Sequence, residues 1–238
     1  MGKSRRTSNN SNFNLKLEQN DYEEFTTENG KHTINIKETT DENEFLENLE
    51  IGKSNRPMSD KFRVYVPDKS ELKGRKLYVT ESGSTIAINK DGDIESVVVQ
   101  GDDSGAALIE FAIQHGGTKL DSYDGNYGFY RHMGFEPVSY TPFNEEYVDK
   151  GWYNTQEKPR EDVIFMVYGG KQAKPAKWDQ TDELRRYKQT HPSQQDTYDP
   201  DTGEVQESGY DKAEQQRAQH FNRTSKDYNA IWAMEGLE

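Results

Sequence analysis

The stretch LDSYDGNYGFYRHMGF, from Leu120 to Phe135, decides the fold that the sequence predicts. A strand-like run leads into a Gly-broken turn, and an aromatic pair follows before the chain reaches Met-Gly-Phe. Because Phe129 and Tyr130 are adjacent, their side chains on a helix point about 100° apart and cannot both enter one core. One phenol is therefore left to face something else, and Tyr130 is the first candidate for a chemical role.

Strand and helix patterns alternate on both sides of this stretch. HTINIKE alternates as a half-buried strand, TTDENEFLENLEIGK has an Asp/Thr helix start, and KLYVTESGSTIAINKDGDIESVVVQ predicts an antiparallel meander with turns at Gly83 and Asp91-Gly92. GAALIEFAIQHGG has helical spacing, TKLDSY precedes the aromatic helix, and EPVSYTPF and DVIFMVYG are the last two strands. KFRVYV fits either a helix end or a short strand. The order β, α, several β, α, β, α, β, β predicts an α/β (α+β) fold with a mixed, mostly antiparallel central sheet flanked by helices.

The distribution of apolar residues divides the chain into three parts. Residues 1–30 are predicted to be a flexible polar leader, 31–170 a globular domain, and 171–238 a charged helical tail. In the tail, DQTDELRRYKQTH predicts a short helix and AEQQRAQHFNRTSKDYNAIWAM a longer one. Four large apolar side chains of the longer helix could fill a groove: Phe221, Tyr228, Ile231 and Trp232. The groove could belong to the domain itself or to a protein partner.

Composition narrows the function classes. The net charge is −13, from 30 basic and 43 acidic residues, which disfavours binding to nucleic acid or anionic membranes and favours basic partners. The chain has no cysteine, and its five histidines form no HxxxH or HxH pair, so we expect no metal site. No apolar run approaches the roughly 20 residues of a membrane span. We expect a cytoplasmic protein.

The order of elements, and above all FYRHMGF followed by a strand, resembles the GNAT superfamily of acyl-CoA-dependent N-acetyltransferases. The resemblance covers about residues 31–170 and implies that acetyl-CoA is the acyl donor. It also implies that Tyr130 is a general acid toward the leaving thiolate, a role suited to a phenol that is neutral at pH 7. A plain aromatic position, in the core or on the surface, is the alternative for Tyr130.

The resemblance further implies a binding site for coenzyme A. The backbone of Val97, Val98 and Val99 would align the thioester, and the start of the following helix would cradle the pyrophosphate. The residues of that cradle are Ser104, Gly105, Ala106 and Ala107.

Two acids precede this cradle in the sequence. Asp102 stands where the family has Arg or Gln, and Asp103 adds a second negative charge. A helix N-cap is the structural alternative for Asp103.

A proton acceptor is also implied, near splayed central strands. Glu95 ranks first because it lies just before the three valines, and Glu81, Asp121 and His132 are the other candidates. Asn126 lies four residues before the aromatic tyrosine, so it could orient a pantetheine amide or a water, or it could cap the helix.

The long segment between the last two strands, residues 144–161, contains aromatic side chains among acids. Tyr147, Trp152 and Tyr153 predict an acidic, aromatic lip, with packing across the sheet edge as the alternative. Together with LDSYDG and DVIFMVYG, this segment resembles GNAT-like domains of phages and prophages.

Two functions stay open at this stage. One is acetyl transfer to an amine or a basic protein. The other is a catalytically silent GNAT-like binding or structural protein, such as a virion component or a host-factor binder.

Overall fold

In a computed structural model of the protein, the described residues are 21–61, 63–144, 161–170 and 181–220. Their strands form a five-stranded antiparallel sheet in chain order, a three-stranded antiparallel sheet in the order β6-β8-β7, and a short hairpin. The strands of the first sheet are β1 (Glu23–Thr26), β2 (Thr33–Thr39), β3 (Lys76–Thr80), β4 (Thr85–Ile88) and β5 (Ile94–Val98). Those of the second sheet are β6 (Lys119–Tyr123), β7 (Phe135–Thr141) and β8 (Val163–Tyr168), and the hairpin is β9 (Thr197–Tyr198) and β10 (Val205–Glu207).

Helices flank both sheets. They are α1 (Glu42–Ser54), α2 (Met58–Lys61), α3 (Gly105–Gln114), α4 (Tyr127–His132), α5 (Thr181–Thr190) and α6 (residues 209–220). The predicted Asp/Thr start of α1 is observed, since the Asp41 carboxylate accepts the backbone N–H of Asn43 at 2.9 Å. The mixed α+β fold class and the mostly antiparallel sheets are confirmed.

One continuous apolar core joins the two sheets on the face that α3 and α4 cover. It includes Ile34, Ile36, Tyr78 and Ile86 from the first sheet, Leu120, Ile164 and Met166 from the second, and Leu108, Phe111 and Tyr127 from the helices. These positions recur at every second residue in the strands and every three or four residues in α3, which is the pattern that buries one face of each element.

The opposite faces of the sheets have separate covers. Helix α1 lies over the first sheet, where Phe45 and Leu49 are fully buried against strand residues such as Val79. Helix α6 lies over the second sheet, where the ring of Tyr210 contacts that of Phe165 with centroids 4.9 Å apart.

Strands β5 and β6 begin side by side and then separate. Helix α3 connects them, and in the described part of the chain they share a single parallel bridge, between Asp93 and Lys119. β5 also carries a bulge, because Thr85 pairs with Val98 whereas Ala87 pairs with Glu95. A bulge turns the side chains that follow it and strengthens the local twist. The bulge and the split open a cleft between the two sheets.

The structure changes two boundaries drawn from the sequence. The predicted leader ends too late, because Glu23–Thr26 pair with β2 and the Phe25 ring meets that of Phe111 at 5.3 Å. In KFRVYV, Lys61 ends α2 and residues 63–66 form neither helix nor strand.

The predicted short tail helix is observed at Thr181–Thr190. The longer one is described only as far as residue 220 and begins earlier than predicted, at residue 209. The four groove-filling residues from Phe221 onward and the lip aromatics from Tyr147 to Tyr153 lie outside the described residues. Within the described ranges, no helix is both long enough and apolar enough to cross a membrane.

Candidate active site

The cleft between the diverging strands has a volume of about 600 Å³. Polar and aromatic side chains from both sheets, α4 and α6 line it. They include Glu95, Val97, Asp121, Asn126, Tyr130 and Tyr210. A concave site with a few convergent polar groups is the usual form of a binding or catalytic pocket.

Tyr130 reaches this cleft from α4. Its ring lies edge-on to Phe129 at 5.0 Å and to Phe135 at 6.1 Å, so the aromatic cluster fixes its position. Its hydroxyl makes no hydrogen bond to the part of the chain that the structure describes. Burial raises the pKa of Tyr130 to about 12, and the charge of Asp121 acts in the same direction. The phenol is therefore a neutral proton donor at physiological pH.

The three valines of the predicted thioester strand diverge at the bulge. Val97 packs on the core beneath α3, Val98 on the cluster beneath α1, and Val99 is 37% exposed. Ser96, the residue before them, has φ +53° and lines the cleft. Since strict alternation would put every second residue on one face, the left-handed residue is what sends Val97 to the α3 side.

The start of α3, the predicted phosphate cradle, lies next to α4. Ser104 occupies the N-cap position in an extended conformation and makes no side-chain cap hydrogen bond. A Cβ on Gly105 would lie 3.5 Å from the Phe129 ring, an ordinary van der Waals distance, so the start of α3 packs against α4. Ala106 is half-buried and Ala107 is buried. The first N–H groups of α3 thus have no capping side chain.

Asp103 does not cap α3, nor does it point to the cradle. Its Oδ2 accepts hydrogen bonds from the Thr80 hydroxyl at 2.5 Å and from the Ser84 hydroxyl at 2.6 Å. Both hydroxyls belong to the β3–β4 turn, so the carboxylate ties that turn to the end of the strand–helix loop. Asp102 is exposed to solvent.

Glu95 and Asp121 are the two predicted proton acceptors that line the cleft. Both oxygens of Glu95 are engaged, since Arg75 Nε lies 2.6 Å from Oε2 and Asn89 Nδ2 lies 3.3 Å from Oε1. Asp121 accepts one hydrogen bond at Oδ1, from the Tyr210 hydroxyl at 3.2 Å. Burial raises the pKa of Asp121 above its ordinary value.

The other predicted polar residues are placed differently. Glu81 is exposed and accepts from Asn35 Nδ2 at 2.9 Å, and His132 is exposed on α4; neither lines the cleft. Asn126 does line it, but its side chain donates to the Ser122 hydroxyl at 3.2 Å rather than capping α4.

Sequence reasoning missed the contribution of α6. Tyr210 and Glu214 line the cleft, and the Arg217 guanidinium pairs with the Asp93 carboxylate beside it. Arg217 and Asp93 are 124 positions apart, so no local sequence pattern could predict that they form an ion pair. Burial raises the pKa of Asp93 to about 7, while Arg217 acts in the opposite direction.

The chain matches no protein-family model, no curated protein and no solved structure. In the described ranges, no three His, Asp or Glu side chains are grouped as ligands for a metal ion.

Proposed function

We propose that the protein is an N-acetyltransferase of the GNAT type, with acetyl-CoA as acyl donor and an amine or a basic protein as acceptor. One observation carries the proposal: Tyr130 and the bulged strand β5 line one cleft between two splayed strands, and the start of α3 packs against the helix that carries Tyr130. The sequence FYRHMGF, which resembles the family, forms the helix that borders this cleft and the turn after it. A cytoplasmic location, in a bacterial cell or with a phage, belongs to the same proposal.

The start of α3 supports binding of the pyrophosphate. Unpaired backbone N–H groups and the helix dipole attract phosphate. The Ser104 side chain does not accept a hydrogen bond from these N–H groups, so they stay available to a phosphate. The carboxylate of Asp103 is engaged by two hydroxyls. Asp102 remains a nearby negative charge, but it is exposed, and solvent and salt weaken its repulsion.

Tyr130 supports the chemistry. In acetyl transfer the amine nitrogen forms a bond to the thioester carbonyl carbon, the C–S bond breaks, and the sulfur takes a proton. Tyr130 would supply that proton, because its pKa of about 12 keeps it protonated beside the leaving sulfur. The amine would lose its proton to a carboxylate in the cleft, and water would return the proton to the phenolate.

Two matched variants test the proposal. Calorimetry should detect acetyl-CoA binding, and thiol release with an amine panel should detect turnover. Tyr130→Phe should lower kcat by about 100-fold with little change in affinity. Tyr127→Phe is the control, because this tyrosine is on the same helix but donates to Glu183 at 3.2 Å, away from the cleft. No binding at millimolar acetyl-CoA, or an unchanged rate in Tyr130→Phe, would contradict the proposal.

A catalytically silent GNAT-like binding protein, in a virion or bound to a host factor, is the second candidate. The specific observation in its favour is that Glu95, the first-ranked proton acceptor, is held by Arg75 and Asn89. Acetyl-CoA binding without turnover for any amine or basic peptide would favour this candidate.

A further inference from the structure

Helix α6, which lies outside the 31–170 segment that resembles the family, is built into the wall of the cleft. Its Ala213 is fully buried, with the backbone oxygen accepting from the Ser139 hydroxyl at 2.6 Å. Arg217 is 1% exposed, and its guanidinium lies over the Phe165 ring at 5.2 Å. These contacts fix the helix on the second sheet and bring Tyr210 and Glu214 to the cleft.

We propose that α6 completes the active site, with Asp121 as the proton acceptor and Tyr210 as the residue that positions it. The inference rests on the proposed acetyl transfer. It assigns the proton-acceptor role to Asp121 instead of Glu95. It also gives helix α6, in the tail of the chain, a role in the active site.

The geometry separates Asp121 from Glu95. Tyr210 holds Oδ1 of Asp121, while Oδ2 makes no hydrogen bond within the described residues. Oδ2 of Asp121 can therefore accept from an amine or a bridging water without losing a partner, whereas each oxygen of Glu95 already accepts one hydrogen bond. The Tyr210 ring packs against the Phe165 ring, and this contact orients the Tyr210 hydroxyl toward Asp121.

Burial and the neighbouring charges act on the pKa of Asp121 in opposite directions. Burial raises its pKa, and the negative charges of Glu95 and Glu214 act in the same direction. The guanidinium of Arg217 and the hydrogen bond from Tyr210 lower it.

Two further tyrosines and one further acid face the same group. Tyr130 from α4 and Tyr123 from β6 have raised pKa values, in part because of the Asp121 charge, so both stay neutral. Asp93, from the start of β5, has its charge compensated by Arg217. A carboxylate whose pKa is raised by burial is, when ionised, a stronger proton acceptor than one in water.

The test measures Asp121 directly, in the full-length chain. With ¹³C-labelled aspartate, the Asp121 carboxyl resonance, assigned by its absence in Asp121→Asn, is titrated in the wild type and in Tyr210→Phe. The variant keeps the ring on Phe165 and removes only the hydroxyl, so the pKa of Asp121 should rise by roughly half to one unit. Tyr198→Phe, in the exposed β9–β10 hairpin, should leave it unchanged. An unchanged pKa in Tyr210→Phe would overturn the positioning role.

Kinetics test the catalytic role. Asp121→Asn should lower kcat/KM by at least about 100-fold with acetyl-CoA affinity retained, and Glu95→Gln should cost less than about tenfold. The acid limb of the kcat/KM profile in Tyr210→Phe should move to higher pH with the Asp121 pKa. A larger loss in Glu95→Gln, or none in Asp121→Asn, would overturn the assignment. No turnover in the wild type would instead remove the proposed function and the catalytic role together, while the NMR titration would still decide the positioning.

Discussion

Helix α1 covers the first sheet and helix α6 covers the second, each on the face turned away from the shared core. The side chains beneath the two helices differ in their chemistry. Beneath α1 the contacts are apolar, with Phe45 and Leu49 fully buried. Beneath α6 the apolar contacts of Phe165 and Ala213 are joined by charged and polar ones, and the largest buried side chain is Arg217. Burying these apolar side chains removes them from water, which stabilises the fold independently of pH. α1 also carries a part-exposed ion pair, between Glu44 and Lys37 of β2 at 2.6 Å. Helix α6 also brings ionisable groups to the cleft, and its contribution depends on their protonation.

The largest effect should come from the apolar cover. Phe45→Ala removes a fully buried ring and leaves a cavity under α1, so the free energy of unfolding should fall by about 4 kcal/mol. Urea denaturation at pH 5 and pH 8 should give the same loss at both values. Ile51→Ala on the same helix, at a side chain 47% exposed, is the control and should cost far less. A loss that varied with pH would break the contrast between the covers.

The polar cover should respond to pH. Arg217→Leu removes the guanidinium that lowers the pKa of Asp93, so that pKa should rise from about 7, leaving only Lys119 at 3.9 Å as a nearby cation. In the unfolded chain the carboxyl ionises near its ordinary value of 3.8, so a raised folded pKa lowers stability as pH rises between the two values. In the wild type this decline ends near pH 7, whereas in the variant it continues to higher pH.

The loss in Arg217→Leu should therefore be larger at pH 8, about 3 kcal/mol, than at pH 5, where Asp93 is mostly protonated in both proteins. Chemical denaturation across this range measures it. Replacing Asp93 by Leu in the same chain should recover stability at pH 8, because no buried charge is then left unpaired. Equal losses at pH 5 and pH 8 would show that Arg217 stabilises the fold by packing alone.

The same contrast explains what the sequence could predict. Elements such as β2 and α3 follow from local periodicity, because one face of each is buried and the apolar residues recur at the spacing of that face. The strand Glu23–Thr26 has one apolar residue, Phe25, and exists through its pairing with β2 and its contact with Phe111. That stabilisation is non-local, and the segment looks like a leader when read alone.

The candidate site divides in the same way. The sequence predicts a role for Tyr130 from its place beside Phe129, and Tyr130 lines the cleft, but both rings pack against the same apolar core. The sequence predicts that Asp103 caps the helix or lies near the pyrophosphate. Its carboxylate instead binds the Thr80 hydroxyl, 23 positions earlier in the chain. Tyr210 meets Asp121 across 89 positions. A hydrogen bond between side chains far apart in the sequence produces no periodic pattern of residues. Polar sites are therefore harder to predict from sequence than apolar cores.

The smallest effect isolates a single hydrogen bond beneath α6. Ser139 is 3% exposed and donates to the backbone oxygen of Ala213 at 2.6 Å, so Ser139→Ala leaves a buried acceptor without that donor. The free energy of unfolding should fall by about 1 kcal/mol, equally at pH 5 and pH 8, because neither group titrates in this range. Ser70→Ala, at an exposed position, is the control. If Ser139→Ala also cost more at pH 8, the helix would be loosening as a unit, and the pH response of Arg217→Leu could no longer be assigned to the Asp93 charge alone.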